Sequence, residues 1–192
     1  MSDTIQSDTK KAFEKAQIKD TLEQMFTLTL DQRVNRSIES KPHGIIPNSH
    51  FAAVSAEAHE LYRDGHFYGT ISLTQAVAEA LIRFLCQKNG WSPHQDYKKN
   101  IKQLKTRDKI SLELATLFIK IWKGRNNYHH LNPGIEQDRQ KLELLAKEKL
   151  TCLKNIEKEL FAFTVNKGKL IPKYLNYWDQ ENGAVKVFLR FD

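Results

Sequence analysis

The sequence predicts an all-α protein: an up-and-down helical bundle with an N-terminal helical extension and a short C-terminal β-hairpin. Three observations carry this. Apolar residues recur at spacings of three and four through most of the 192 positions. Eight glycines and five prolines are few for a β-rich chain. Strict alternation of apolar and polar residues is confined to the end of the chain, after the turn pair Asn182-Gly183.

Residues 1–7 are small and polar and read as a frayed end. A helix follows from about Asp8 to Ser40, with Leu22, Phe26, Leu30, Val34 and Ile38 spaced by four and a break near Asp20 as the alternative. Lys41-Pro42-His43-Gly44 and Pro47-Asn48 end it, and Ser49 is placed to cap the next helix, which stops at Asp64-Gly65. From His66 to about Lys88, Phe67, Ile71, Thr74, Val77, Ala78, Leu81, Ile82 and Leu85 form one continuous face, closed by Asn89-Gly90. Trp91 to Asp108 is a polar connection with a short helix over Tyr97 to Leu104. A helix from about Ile110 ends before Asn132-Pro133-Gly134, and another spans about Glu136 to Thr164. The near-heptad spacing of Leu142, Leu145, Cys152, Ile156, Leu160 and Phe163 suits packing within a bundle or across a dimer. In the tail, Val185, Val187, Leu189 and Phe191 alternate with Lys186, Phe188 and Arg190. The organisation is therefore an extension over 1–48, a bundle over 49–165 and a tail over 166–192.

Hydrophobic residues at 40% and charged residues at 28% fit a folded, soluble domain. Cys86 and Cys152 fall in apolar helical patterns and read as core residues of a reduced, intracellular protein. The N-terminus has no apolar leader and no run reaches membrane-spanning length, so the expected location is the cytoplasm, with no membrane partner. His43, His50, His59 and His94 are scattered without ligand spacing, so neither a metal nor another cofactor is expected. The net charge of +7 favours polyanionic partners. Lys98, Lys99, Lys102, Lys105 and Arg107, with Lys109, are opposed only by Asp108; they form either a solvated face or a surface that tracks the phosphates of RNA.

The most informative stretch is Gly124-Arg125-Asn126-Asn127-Tyr128-His129-His130. It follows the apolar stripe of Leu114, Leu117, Phe118, Ile121 and Trp122. Continued at 100° per residue, that stripe puts Arg125 and His129 near its centre, with Asn126 and His130 along one edge. A lone guanidinium is too costly to bury, so Arg125 is solvated, paired or facing another molecule.

Arg125, four residues and then His130, with Asn126 directly after the arginine and the long Ala/Leu-rich segment His66 to Leu85 upstream, resembles the HEPN domains (higher eukaryotes and prokaryotes nucleotide-binding). The resemblance covers about residues 50–165. It implies a metal-independent endoribonuclease, often a toxin or defence effector, in which a homodimer brings two motifs together. Other members are inactive and serve as RNA- or nucleotide-binding or scaffold modules. Some HEPN toxins carry, two residues after the motif histidine, a tyrosine that a partner nucleotidyltransferase modifies. Asn132 stands there in this chain, so that route is not expected; the N-terminal extension and the tail instead either hold an antitoxin or regulatory partner or cover the cleft.

On this resemblance the catalytic set is Arg125, Asn126 and His130. Arginine holds a phosphate through two parallel hydrogen bonds and stays charged; histidine transfers protons near neutral pH. The amide of Asn126 orients either group. Arg125 and His130 point about 140° apart on an ideal helix, so one copy struggles to aim both at one phosphate, and two copies facing across a two-fold axis resolve this. Arg125 and His129, four apart, are the competing pair. Tyr128 either packs with its hydroxyl outward or stacks on a base, and Glu79 is either a solvated or paired carboxylate or the group that orients Arg125. Trp91 and Tyr97 are further candidates for base contacts, and the polar helix end before Pro133 has a purely structural reading as well.

Overall fold

The computed structural model describes residues 2–190. Its first element, α1 (Ser2–Ser40), is one helix without a break at Asp20, and it begins inside the stretch read as frayed. Strand β1 (Ile45–Pro47) follows, then α2 (Ala52–Arg63), α3 (Phe67–Lys88), α4 (Tyr97–Thr106), α5 (Leu112–Trp122), α6 (Arg125–His129) and α7 (Arg139–Leu160). The described residues after α7 form short strands, β2 (Phe163–Asn166), β3 (Lys169–Pro172), β4 (Gln180–Glu181), β5 (Ala184–Val185) and β6 (Val187–Leu189), with one 3-10 turn over Leu175–Tyr177.

The core lies where α3 packs against α2, α5 and α7. Ile71, Ala78, Leu81, Ile82 and Leu85 of α3 are fully buried against Phe118 and Ile121 of α5 and Leu153 and Ile156 of α7. Cys86 and Cys152 are both buried, as their apolar setting predicts. Asn89 ends α3, its side-chain amide donating to the Leu85 carbonyl at 2.8 Å, and Gly90 takes the left-handed turn with φ +76°. Ser49 does not cap α2: the preceding residue is Phe51, with no side-chain cap, and Ser49 contributes only its carbonyl to the Ala52 amide. Phe51 is buried instead, stacked on Phe161 with 5.9 Å between centroids.

The tail contains two hairpins where the sequence predicts one. β4 and β5 turn at Asn182-Gly183, both at positive φ, as the dipeptide foretells. β2 and β3 turn at Lys167-Gly168 in the same conformation, a turn that lacks the Asn or Asp signal because a lysine occupies the first left-handed position. The expected helix to Thr164 ends at Leu160, and Phe163 enters β2. The alternating run after Val185 leaves the hairpin: β6 pairs antiparallel with β1, Ile45 opposite Leu189 and Pro47 opposite Val187. Phe191 lies outside the described residues.

A buried polar network ties that pairing to the bundle. Arg190 donates from Nε to the His43 carbonyl at 2.9 Å, from Nη1 to Ser55 Oγ at 2.9 Å and from Nη2 to Glu157 Oε2 at 2.7 Å. Ser55 Oγ in turn donates to Glu157 Oε1 at 2.6 Å. Four segments thus meet at one charge pair, and Trp178 beside them rests edge-on against Phe161. The last turns of α1 are pinned to the body by Arg36 on Glu143 at 2.7 Å, Lys147 on Glu39 at 2.9 Å and Arg33 on Asp64 at 3.1 Å. Among the described residues no helix is long and apolar enough to cross a membrane.

Candidate functional site

The helix expected from Ile110 to the motif is two helices. Ser111 caps α5 by accepting from the Leu114 amide at 3.1 Å. The helix then stops at Trp122, and Gly124 adopts φ +75°, the left-handed conformation in which glycine has no Cβ penalty. The motif starts again on α6, a five-residue turn packed on α3. The extrapolation of the α5 stripe through Arg125 and His129 therefore fails: the glycine turn resets the helix direction, and Tyr128 is the residue that α6 buries.

The break frees carbonyls at the end of α5, and two side chains that the sequence reading did not single out collect them. Lys149, on α7 and only 2% exposed, donates to the carbonyls of Ile121 at 2.7 Å, Lys123 at 2.8 Å and Lys120 at 3.3 Å. Gln75, on α3 and fully buried, donates to the Ile121 carbonyl at 3.0 Å. A cation at a helix C-terminus is electrostatically favoured and here replaces the missing helical donors. Burial still pushes the Lys149 ammonium down to about 8, because desolvation disfavours the charged form. The signal for Lys149 was present in the sequence: it occupies the position between Leu145 and Cys152 in an otherwise apolar heptad series.

Arg125 is partly buried and held from two sides. Its Nη2 lies 3.4 Å from Glu79 Oε2, and its Cζ sits 4.6 Å from the centroid of the Trp122 ring. Glu79 also accepts from Arg83 at 2.9 Å, so it is a paired carboxylate and the one in contact with Arg125. Arg125 Nε is buried and has no hydrogen-bond partner among the described residues. Trp122 is stacked on Tyr97, 3.9 Å between centroids and 8° from parallel. Tyr97 is 4% exposed and donates its hydroxyl to the Phe118 carbonyl at 3.3 Å, so it is a core residue rather than a contact for bases.

Arg125 and Asn126 line a cleft of about 460 Å³ with Lys98, Lys120, Lys123 and Asn127. The basic stretch of the sequence divides at this point. Asp96 caps α4 by accepting from the amides of Lys98 and Lys99. Lys98 then faces the cleft, whereas Lys99, Lys102 and Arg107 line a separate groove with His94, and Arg107 lies over Trp91 at 4.4 Å. Lys105 is exposed on the same helix.

His129 and His130 are exposed and are not among the residues lining the cleft. The His129 imidazole is pushed below its usual pKa by burial and by the Arg125 charge. His130 ends α6, its amide donating to the Asn126 carbonyl at 3.2 Å. Tyr128 is buried against Tyr68, 6.3 Å between centroids, which favours its packing role over stacking on a base. Asn132 closes the turn, its side chain donating to the Asn126 carbonyl at 3.3 Å after Leu131 at φ +49°. His66 precedes the first turn of α3 without a side-chain cap.

No family model, curated protein or solved structure matches this chain. The site is therefore read from its own chemistry. It offers an anion three ammonium groups, two primary amides and one guanidinium fixed in place. Two imidazoles stand one turn away on the same short helix. Among the described residues no three His, Cys, Asp or Glu side chains gather as a metal-binding group.

Proposed function

We propose that this chain is a metal-independent endoribonuclease of HEPN type that cleaves RNA in a composite cleft formed by two copies. The observation that carries this reading is the setting of Arg125: a guanidinium steadied by Glu79 and Trp122 at the edge of a lysine-lined cleft, one helical turn before two histidines. In the reaction, the 2′-hydroxyl loses its proton to an imidazole and its oxygen attacks the adjacent phosphorus. The bond from phosphorus to the 5′-oxygen breaks, that oxygen gains a proton, and a 2′,3′-cyclic phosphate remains. Arg125 stabilises the charge on the non-bridging oxygens, and Asn126 orients phosphate or imidazole. His130 supplies the proton transfers. Because it lies outside the cleft of its own chain, it serves the cleft of the second copy. The resemblance to toxin and defence-effector members supports the same reading, together with a partner that restrains the activity.

The second reading is a non-catalytic RNA- or nucleotide-binding module in a larger assembly. It is favoured by the contact of Arg125 with a carboxylate of its own chain and by the position of both histidines outside the cleft.

A cleavage assay on single-stranded and structured RNA with EDTA present separates the two. The ribonuclease reading expects a 2′,3′-cyclic phosphate product and a loss of about 100-fold or more in Arg125→Ala and in His130→Ala. Activity that survives both substitutions overturns the assignment of these residues. RNA binding without cleavage by the folded dimeric wild type supports the binding module.

A further inference from the structure

Every described side chain of α1 from Lys10 to Gln32 is exposed, although the helix carries large apolar residues throughout. Ile18, Leu22, Met25 and Phe26 are each 50–61% exposed. At 100° per residue these four fall within an arc of about 100°, a single stripe on one side of the helix. The same arc, followed towards the C-terminus, carries Arg33, Arg36 and Ser40, and Arg36 is buried against the body. The face that α1 uses to dock on its own chain thus continues, uncovered, for about 20 residues, or roughly 30 Å.

The pattern and charge of this arm fit a second copy of itself. Residues 8–30 carry four lysines, at 10, 11, 15 and 19, and four carboxylates, at 8, 14, 20 and 23, so the arm is neutral in a chain of net charge +7. Neutrality suits self-pairing better than an anionic surface. In heptad terms Leu22 takes an a position with Ile18 and Met25 at d, flanked by Lys15 and Thr29 at the neighbouring a positions. Glu14 and Lys19 then occupy g and the following e, five residues apart, where parallel helices place opposite charges across the seam. Within its own chain Lys19 is held only loosely, 3.6 Å from Glu23. Lysine at a single a position is a known device for fixing register at some cost in stability.

We propose that the exposed stripe of α1 is a homotypic pairing surface: two copies align these helices in parallel, Leu22 against Leu22, with Glu14 of one copy facing Lys19 of the other. Parallel pairing holds both bodies at one end of the paired helices. This contact is distinct from the meeting of motifs in the cleavage reading and is tested without any activity.

The experiment uses the full chain. Sedimentation equilibrium of the wild type is expected to show a concentration-dependent dimer, which the double variant Leu22→Glu/Met25→Glu weakens by roughly tenfold or more. Under mild oxidation Leu22→Cys and Ile18→Cys are expected to give covalent dimers, whereas Asp20→Cys, on the far side of the helix, is not; the native Cys86 and Cys152 are buried and do not interfere. A wild type that stays monomeric at every concentration, a dimer whose affinity the double substitution leaves unchanged, or equal cross-linking at Leu22→Cys and Asp20→Cys overturns the proposal. Cross-linking at Leu22→Cys without Ile18→Cys overturns the parallel alignment.

Discussion

The ammonium of Lys149 lies 2.7 Å from the carbonyl oxygen of Ile121, so a buried cation on one helix terminates another. This contact explains how α5 ends beside the core without orphaned carbonyls, and why the motif resumes on a separate turn. Replacing Lys149 by Met leaves those acceptors unpaired and is expected to cost about 1–3 kcal/mol in denaturant unfolding.

The same lysine gives stability a pH signature. Its folded pKa of about 8 lies below the value near 10.4 of the unfolded chain, so between these limits the unfolded state binds more protons and stability rises with pH. Urea unfolding of wild type and Lys149→Met across pH 7–11 checks this. The wild type is expected to gain up to about 3 kcal/mol relative to the variant over that window, and a difference that stays constant with pH sinks the assignment.

Gly124 tests the break itself. A Cβ at this position meets nothing nearer than the Tyr128 ring at 3.8 Å, an ordinary contact, so space is no obstacle. The cost of Gly124→Ala is therefore backbone strain at φ +75°, about 1–2 kcal/mol, and Gly124→Asn is expected to lose less. Chemical denaturation of the pair measures the difference.

Salt dependence of RNA binding tests the division of the basic residues. If a single strand lies in the cleft, Arg125→Ala and Lys98→Ala each lower the slope of log affinity against log salt by about 0.7. Lys102→Ala, which faces the separate groove, is expected to leave that slope unchanged for an oligonucleotide short enough to fill only the cleft. Equal effects at all three positions indicate a diffuse basic surface instead.

The network around Arg190 predicts strong non-additivity. Arg190→Met strands the buried Glu157 carboxylate and is expected to destabilise by about 3–5 kcal/mol. Adding Glu157→Leu removes the stranded charge and is expected to restore part of the loss, which a double-mutant cycle in urea reads directly. Additive losses contradict a coupled pair.

The helices were legible because their signals are local. The apolar face of α3 and its Asn89-Gly90 end, the Tyr97 helix and the Asn182-Gly183 hairpin all follow from residues within a few turns of one another. The misreadings share a different cause. Gly124 lies in a continuous apolar stripe, and periodicity alone cannot report that one residue adopts positive φ. Lys149 and Gln75 matter because α7 and α3 bring them to the end of α5, a fact of tertiary packing. The alternating residues 185–190 announce a strand, but its partner is β1, far upstream, and no local rule selects it. Within the candidate site, Arg125 and Asn126 were readable as charged and polar residues in the wrong place for a core, and Lys98 as part of a basic run. That they share one cleft while the histidines remain outside it depends on the turn at Gly124.

His43 and Arg190 are 147 positions apart, yet they are joined in the interior. During synthesis every helix of the bundle is made before the guanidinium that neutralises Glu157. At typical elongation rates the interval from His43 to Arg190 is on the order of 10 s, far longer than helix formation. Through that time β1 lacks its partner strand, and Glu157, made 33 positions before Arg190, lacks its counter-charge over the last part of it. Closure of the interior around Glu157 thus waits for Arg190, long after His43 and Ser55 have been made.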